Sequence, residues 1–346
     1  MRIEVTGRDR SIVFDCPGDR EILLAGLGAG FGLPYECGNG SCANCKATLI
    51  EGDVDPGWVD APASRLLKTD GNEILMCQAR PLTACSLSVR AKLPDLDGFL
   101  PTTVDGVVES ITPLNHNVRR LEIRPERSIP YDAGQFVLVG APAFPGYRGW
   151  SMASYDPTGK VLVFTVKLMP GGSASAWLAG SAKAGDTVTV VGPLGKASFR
   201  PERDTANLLC VAGGSGLAPI LSILERAQGA SHFECHRADI FFGVRSFADL
   251  YETERLLAVA GRYPEKVALT IAFSETMPNP DEMTQLGHAS VAAGFVHEAM
   301  DQIMTGRYAD VQAYLAGPPP MVEAAMRTLI VQGKVPPARI RYDKFS

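Results

Sequence analysis

The chain has 346 residues, of which 46% are hydrophobic and 21% charged; this excludes a largely disordered chain or a coiled coil and predicts two or three domains. With 33 Lys and Arg against 38 Asp and Glu the formal charge is −5, which argues against nucleic acid as the main partner. There is no run of about 18 apolar residues and no apolar signal segment among the charged first residues, so neither a membrane span nor secretion is expected, and the eight cysteines are expected in a reducing, cytoplasmic setting where clustered thiols bind metals.

Two alternating runs, Ile3-Glu4-Val5 and Ser11 to Phe14, predict a hairpin, and Ile22 to Ala29 predicts a helix stopped by Gly32 and Pro34. A run from Cys85 to Val89 closes a first module over residues 1–94, and residues 95–101 read as a linker. From 102 to 203, short β-type runs at Val104 to Val108, Val118 to Ile123, Phe136 to Val139, Val161 to Val166 and Thr187 to Val191 predict an antiparallel barrel or sandwich. From 204 to 346, strands at Leu208 to Ala212, Ile240 to Phe242, Val267 to Ala272 and Gln312 to Ala316 alternate with helices at Ala218 to Gln228, Asp249 to Ala260 and Met321 to Gln332. That rhythm predicts a parallel α/β sheet.

Cys37, Cys42 and Cys45 follow the C-x4-C-x2-C spacing, and Cys77 lies 32 positions further on. This is the plant-type [2Fe–2S] pattern: three thiolates from one tight loop and a distant fourth, with small residues (Gly38, Gly40, Ser41, Ala43) letting backbone N–H groups wrap the sulfides. Zinc is the alternative, but it favours two close cysteine pairs. Cys85 competes with Cys77 as fourth ligand and reads better as a core residue, as do Cys16, Cys210 and Cys235; the cluster His232, Cys235 and His236 reads as a loop between helix and strand rather than a metal site. The glycine-rich run Gly26 to Gly32 follows a helix rather than a strand, which points to close packing and not to a nucleotide loop.

Gly213, Gly214, Ser215, Gly216 and Pro219 follow a buried strand and open a helix, where glycines and helix N–H groups suit a pyrophosphate. A plain strand-to-helix turn is the alternative. Arg148-Gly149-Trp150-Ser151 offers a phosphate partner, an aromatic plane and a hydroxyl, against the alternative of a surface loop. Val166-Lys167 with Gly172, Ser173 and Ser175 offers a second phosphate cradle, and Ala316 to Met321 ends a strand at the same sheet edge as Gly213.

With these motifs the chain resembles the NADH-dependent reductase components of bacterial multicomponent oxygenases over essentially its whole length. It is most similar to those of soluble diiron monooxygenases acting on toluene, phenol, alkenes or methane. Pro34 to Cys37, Met76-Cys77-Gln78, Gly294 to Glu298 and Arg341 to Phe345 carry that likeness. The resemblance implies a multidomain fold, α+β then β then α/β: a β-grasp [2Fe–2S] ferredoxin, an antiparallel FAD-binding barrel and a doubly wound NAD-binding domain.

It also implies roles. Arg148 would contact the FAD pyrophosphate, Trp150 the flavin and ribityl region, and Ser151 the flavin N5 edge. Gly172 to Ser175 and Gly213 to Pro219 would be phosphate loops, Gly243 and Arg245 would lie on the adenosine side, and Gly317, Pro318 and Met321 beside the nicotinamide. Phe345 would shield the flavin until nicotinamide displaces it. Trp150 replaces the family's usual Tyr, and Ala316 its usual Cys, which implies slower hydride transfer with binding kept. NADH yields two electrons and the cluster takes one at a time, so FAD must stand between them.

The expected acceptor is an oxygenase or hydroxylase component or its ferredoxin, and the chain is expected to be a monomer. Glu51, Asp53, Asp55 and Asp60 are either a docking surface or a solvated face. Arg245-Ser246 suits NADPH, whereas Asp249 and Glu252 favour NADH. The rival readings are a reductase of a Rieske-type dioxygenase, and a redox-sensing or electron-transfer subunit with poor NADH turnover.

Overall fold

The computed structural model describes residues 1–68 and 71–345. The first unit contains β1 (Arg2–Thr6), β2 (Ser11–Asp15), α1 (Ile22–Gly28), β3 (Lys46–Glu51), β4 (Val54–Asp55), β5 (Glu73–Leu75), β6 (Arg80–Pro81) and β7 (Cys85–Ser88). Its five-stranded sheet has the order β2-β1-β7-β3-β5, with β1 parallel to β7 at its centre. Alternation drives the packing: Ile3 and Val5 of β1 are buried, while Arg2, Glu4 and Thr6 are exposed. Helix α1 lays Ile22, Leu23 and Leu27 into the same core. A side chain on Gly26 would meet Leu33 at 2.6 Å and Phe14 at 2.9 Å, so the glycine-rich run serves close packing.

The second unit is a six-stranded antiparallel sheet of β8 (Thr102–Pro113), β9 (Val118–Pro125), β10 (Phe136–Ala141), β11 (Phe144–Ser151), β12 (Leu162–Lys167) and β13 (Thr187–Leu194), in the order β11-β10-β13-β8-β9-β12. An antiparallel bridge between Met152 and Phe164 closes it into a barrel. Strand β11 is an addition to the sequence reading. Pro145, Gly146 and Gly149 disguise it as a loop, and a proline is tolerated there because β11 ends the order. After β12 the chain forms α2 (Ser173–Ala176) and a π-helical turn, Trp177–Ser181.

The third unit runs β14 (Asn207–Gly213), α3 (Leu217–Gly229), α4 (His232–Cys235), β15 (Ala238–Val244), α5 (Thr253–Arg262), β16 (Val267–Phe273), α6 (Pro280–Gln285), β17 (Ser290–Ala293), α7 (Val296–Met304), β18 (Val311–Gly317), α8 (Pro319–Val331) and β19 (Ile340–Lys344). Its six strands are all parallel, in the order β17-β16-β15-β14-β18-β19. The order reverses between β14 and β18, which opens a crevice beyond Gly213 and Gly317. The segment around His232 and Cys235 is the short helix α4 rather than a loop; His232 bonds the Ala206 carbonyl at 3.0 Å and Cys235 is exposed.

The three units share cores. Phe136, Leu138, Val191 and Leu194 of the barrel pack with the first unit, and Val118, Ala133 and Phe199 pack with the third. Polar ties add direction. Asp204, nearly fully buried, takes Arg341 at 2.7 Å, the Tyr314 hydroxyl at 2.9 Å and Arg203 at 3.1 Å. Burial alone would raise its carboxyl; hydrogen bonds from Arg341 and Arg203 hold it below the ordinary range. The segment 95–101 is pinned, with Asp97 on Arg200 at 2.7 Å and Asp95 on Arg10 at 2.8 Å.

Candidate functional site

The cysteine loop connects α1 to β3, with Ala43, Gly38 and Gly40 at positive φ (60°, 69° and 89°). That curvature turns backbone N–H groups inward. Ser41 N–H points to Cys37 Sγ at 3.3 Å, and the N–H groups of Cys37 and Asn44 to Cys42 Sγ at 3.5 Å each. The Cys42 thiol and the N–H groups of Asn39, Ser41 and Cys42 outweigh burial and hold the Cys37 thiol well below its ordinary range.

Cys45 and Cys77 lie Sγ to Sγ at 3.2 Å, so the four thiols form two pairs, Cys37 with Cys42 and Cys45 with Cys77. Among the described residues no group of three or more His, Cys, Asp or Glu converges on a single ion position. Two pairs suit two irons, two thiolates each, and do not suit one tetrahedral zinc. Cys85 faces the Asp53 and Thr83 carbonyls at 3.5 and 3.4 Å and belongs to the core.

One side of this loop faces the barrel: a side chain on Gly38 would touch Leu138 at 3.4 Å and Leu194 at 3.7 Å. A pocket there is lined by Cys37, Phe136, Gly149, Ser151, Asp343 and Phe345. It thus brings the expected flavin-edge hydroxyl, the expected shielding aromatic and a cluster thiol to one space. Strand alternation sends Gly149 and Ser151 of β11 to this face and Arg148 and Trp150 to the other. Trp150 lies 6.1 Å from Phe164, partly buried against the barrel core.

The Arg148 guanidinium donates to the carbonyls of Pro145 and Tyr147 and to Ser173 Oγ, at 3.0 to 3.2 Å. No carboxylate faces it among the described residues, and burial alone pulls its pKa down. A half-buried cation without a counter-ion, tied to the Gly172–Ser175 turn, suits an anion such as a pyrophosphate. Ser175 Oγ accepts the Met169 N–H at 2.8 Å and fixes that turn, while Val166 is buried in the barrel core.

The crevice of the third unit is a cleft of about 500 Å³, lined among others by Lys167, Gly213, Gly214, Ser215, Gly243, Arg245, Pro318 and Met321. Glycines are required here by contact. A side chain on Gly216 would sit 1.9 Å from the Ala316 carbonyl, one on Gly317 2.6 Å from Met321 and one on Gly243 2.7 Å from Val296. Pro219 is buried in the first turns of α3. Ala316 is buried at the end of β18, beside Ala212.

Arg245 is engaged by Asp249 at 2.8 Å, and Ser246 Oγ reaches the same carboxylate at 3.3 Å. Glu252, expected nearby, is not part of this cleft. Its left-handed φ of 52° turns it away, buried, onto Arg120 at 2.9 Å and Arg255 at 3.1 Å.

The sequence reading missed further residues here. Phe295 and His297 line the cleft and stack at 5.8 Å, with His297 Nδ1 buried and unpartnered. Asp343 is buried with Oδ2 unpartnered; burial, then Glu36, pushes its carboxyl up to about 7. The signal for both was the runs Gly294 to Glu298 and Arg341 to Phe345, read for likeness and not for side chains.

Comparison with known proteins gives three matched families: the 2Fe-2S iron-sulfur cluster binding domain over residues 4–82, the oxidoreductase FAD-binding domain over 105–199 and the oxidoreductase NAD-binding domain over 210–327. The chain is 33% identical over 342 residues to the reductase component of phenol 2-monooxygenase from Pseudomonas sp. (strain CF600), covering 97% of this chain and 91% of that one. It is 30% identical to a ferredoxin–NAD(P)(+) reductase of Metapseudomonas resinovorans, covering 95% and 96%. Among solved structures, the ferredoxin reductase in carbazole 1,9a-dioxygenase superposes with a TM-score of 0.83 at 28% identity, covering 100% and 99%. Domains for [2Fe–2S], FAD and NAD are all present.

Proposed function

The chain belongs to the NADH-dependent reductase components of bacterial oxygenase systems, and we propose that it passes electrons from NADH through FAD and [2Fe–2S] to the oxygenase component of a soluble diiron hydrocarbon monooxygenase. The observation that carries this reading is the pocket where Cys37, Ser151 and Phe345 meet. When bound there, FAD supplies the exchange of a two-electron hydride for single electrons, and the cluster their storage.

The rest is positioning by the protein. The pairs Cys37/Cys42 and Cys45/Cys77 would hold the irons, with loop N–H groups compensating the sulfur charge. Arg148 and Ser173 would hold the pyrophosphate, and Ser151 would meet the flavin edge. The Phe345 N–H is bonded to the Gly317 carbonyl at 2.9 Å, so the ring that would shield the pocket is tied to the turn that would hold the nicotinamide end.

Asp249 supports NADH over NADPH: it occupies Arg245 and would repel a 2′-phosphate. The half-buried stretch Ser41 to Ala43 and exposed Asn44 leave the outer side of the cysteine loop to an acceptor, and the acidic residues Glu51, Asp53, Asp55 and Asp60 of the same unit are exposed. No helix among the described residues is long and apolar enough to cross a membrane. The chain is proposed to act as a cytoplasmic monomer. The carbazole dioxygenase neighbour favours a second reading, a Rieske-type acceptor.

The test is an anaerobic titration of the purified protein with NADH, followed by mixing with purified diiron and Rieske components. Bleaching of flavin and cluster bands by NADH and not by equal NADPH, then reoxidation by the diiron component, is the expected result. Cofactors that stay oxidised with NADH overturn the reductase reading and favour a redox-sensing subunit.

A further inference from the structure

We propose that Trp58, on a loop of the iron–sulfur unit, is the stacking platform for the adenine of FAD, so that the dinucleotide is held by two units of the chain at once. This rests on the reading of Arg148 as the pyrophosphate ligand.

The Arg148 guanidinium has two aromatic neighbours, Phe144 with its ring centroid at 5.4 Å and Trp58 at 6.0 Å. Phe144 is buried and packed against Trp177 at 5.6 Å, so its faces are taken. Trp58 is 38% exposed, and no ring pairs with it among the described residues. A partly exposed indole paired with no other ring, and lying under a cation without a counter-ion, matches a flat heterocycle joined to a diphosphate.

The loop is held in place. Gly57 has φ +70°, and a side chain on it would sit 2.4 Å from the Gln78 carbonyl. Its N–H is bound to the Asp55 carboxylate at 3.0 Å, and the Ala61 N–H to the Trp58 carbonyl at 3.1 Å. Strand β4 behind it pairs with β6, just after Cys77. The platform is therefore anchored to the unit that holds the cluster. Asp55 and Asp60 nearby do not oppose this, because adenine is neutral and the phosphates would lie at Arg148.

The consequence separates FAD from FMN, which has the phosphate but no adenine. The experiment titrates deflavinated full chain with FAD and with FMN, using wild type, Trp58→Ala, Trp58→Phe and Arg148→Gln, with the visible cluster spectrum as the check on folding. Trp58→Ala is expected to weaken FAD about tenfold, within the range for loss of one base–aromatic stack, and to leave FMN unchanged. Trp58→Phe should keep most of the FAD affinity, and Arg148→Gln should weaken both ligands. Unchanged FAD affinity in Trp58→Ala, or equal loss for FMN, overturns the proposal while leaving the flavin site standing. Unchanged FAD affinity in Arg148→Gln overturns the flavin-site reading itself. Should Trp58→Ala lose its cluster, Trp58→Leu takes its place: the same FAD-selective loss supports the proposal, and its absence refutes it.

Discussion

Replacing Gly216 by Ala tests whether the turn between β14 and α3 is built by contact with β18. Gly216 has φ −65°, a conformation any residue adopts, so the substitution carries no backbone strain of its own. The whole effect is steric. The new methyl would sit 1.9 Å from the Ala316 oxygen, 2.3 Å from its carbonyl carbon and 2.7 Å from Gly317 N, where 3.0 Å is the least that real methyls show. All three neighbours are backbone, so the turn must retreat by about 1 Å or more, near the upper end of the ~1–3 kcal/mol typical of overpacking. The retreat also pulls on the bond from the Tyr251 hydroxyl to the Gly214 carbonyl, 2.9 Å long. Because the same turn lines the cleft, a loss of about 2 kcal/mol in NAD⁺ binding, roughly thirtyfold in Kd, is expected. Isothermal titration with NAD⁺ and a thermal melt measure the two effects. Gly229→Ala, on the same helix α3 with nothing near its would-be methyl, is the control and should bind NAD⁺ like wild type. Wild-type affinity and melting in Gly216→Ala would refute the contact argument.

Asp249→Asn frees Arg245 and removes the charge opposed to a 2′-phosphate, so the ratio of kcat/KM for NADPH to that for NADH should rise about tenfold, corresponding to ~1.4 kcal/mol; an unchanged ratio would remove Asp249 from the specificity argument. Cys77→Ser should abolish the visible cluster spectrum, whereas Cys85→Ser should retain it at nearly full intensity, because Cys85 faces only carbonyls; the reverse pattern would exchange the fourth ligand. Asp343, held neutral up to about 7 by burial and then Glu36, binds its proton more tightly folded than unfolded, so its contribution is fully favourable below the ordinary carboxyl pKa of ~4 and is lost as pH rises toward 7. Thermal melts of the deflavinated protein should therefore show stability falling between those limits, and Asp343→Asn should flatten that slope whatever it does to the absolute melting temperature.

What could be read from the sequence was whatever chemistry pins to fixed intervals. Thiolates must reach two irons from one tight loop, so Cys37, Cys42 and Cys45 announce themselves. The parallel strand β14 is covered on both faces, so its Leu208 to Ala212 run is continuous and its glycine turn stands out. Edge elements were hidden for the opposite reason. Strand β19 ends its sheet and spells Ile340-Arg-Tyr-Asp-Lys344, with too little apolar signal to be seen, and β11, last in its sheet order, carries a proline near its start that masks it. Glu252 shows the limit of nearness along the chain. It lies three residues from Asp249, yet the chain reverses between them and the two carboxylates serve different places. The pairing of the four thiols and the approach of Trp58 to Arg148 depend on how the units pack, which no local pattern encodes.

The packing between units has a mechanistic consequence of its own. If residues 95–101 were a free tether, the cysteine loop could swing between the flavin pocket and an acceptor. Asp97 on Arg200, Asp95 on Arg10, the Gly195 N–H on the Tyr35 hydroxyl at 3.1 Å and the apolar seam from Gly38 to Leu138 and Leu194 oppose that motion together. The cysteine loop then has a fixed division of labour. Its Cys37 side is committed to the pocket shared with Ser151 and Phe345, and its Ser41 to Asn44 side remains open to solvent. Delivery inward and release outward would thus use opposite sides of one loop without separating the units, while the Phe345 N–H just past β19 is held on the Gly317 carbonyl.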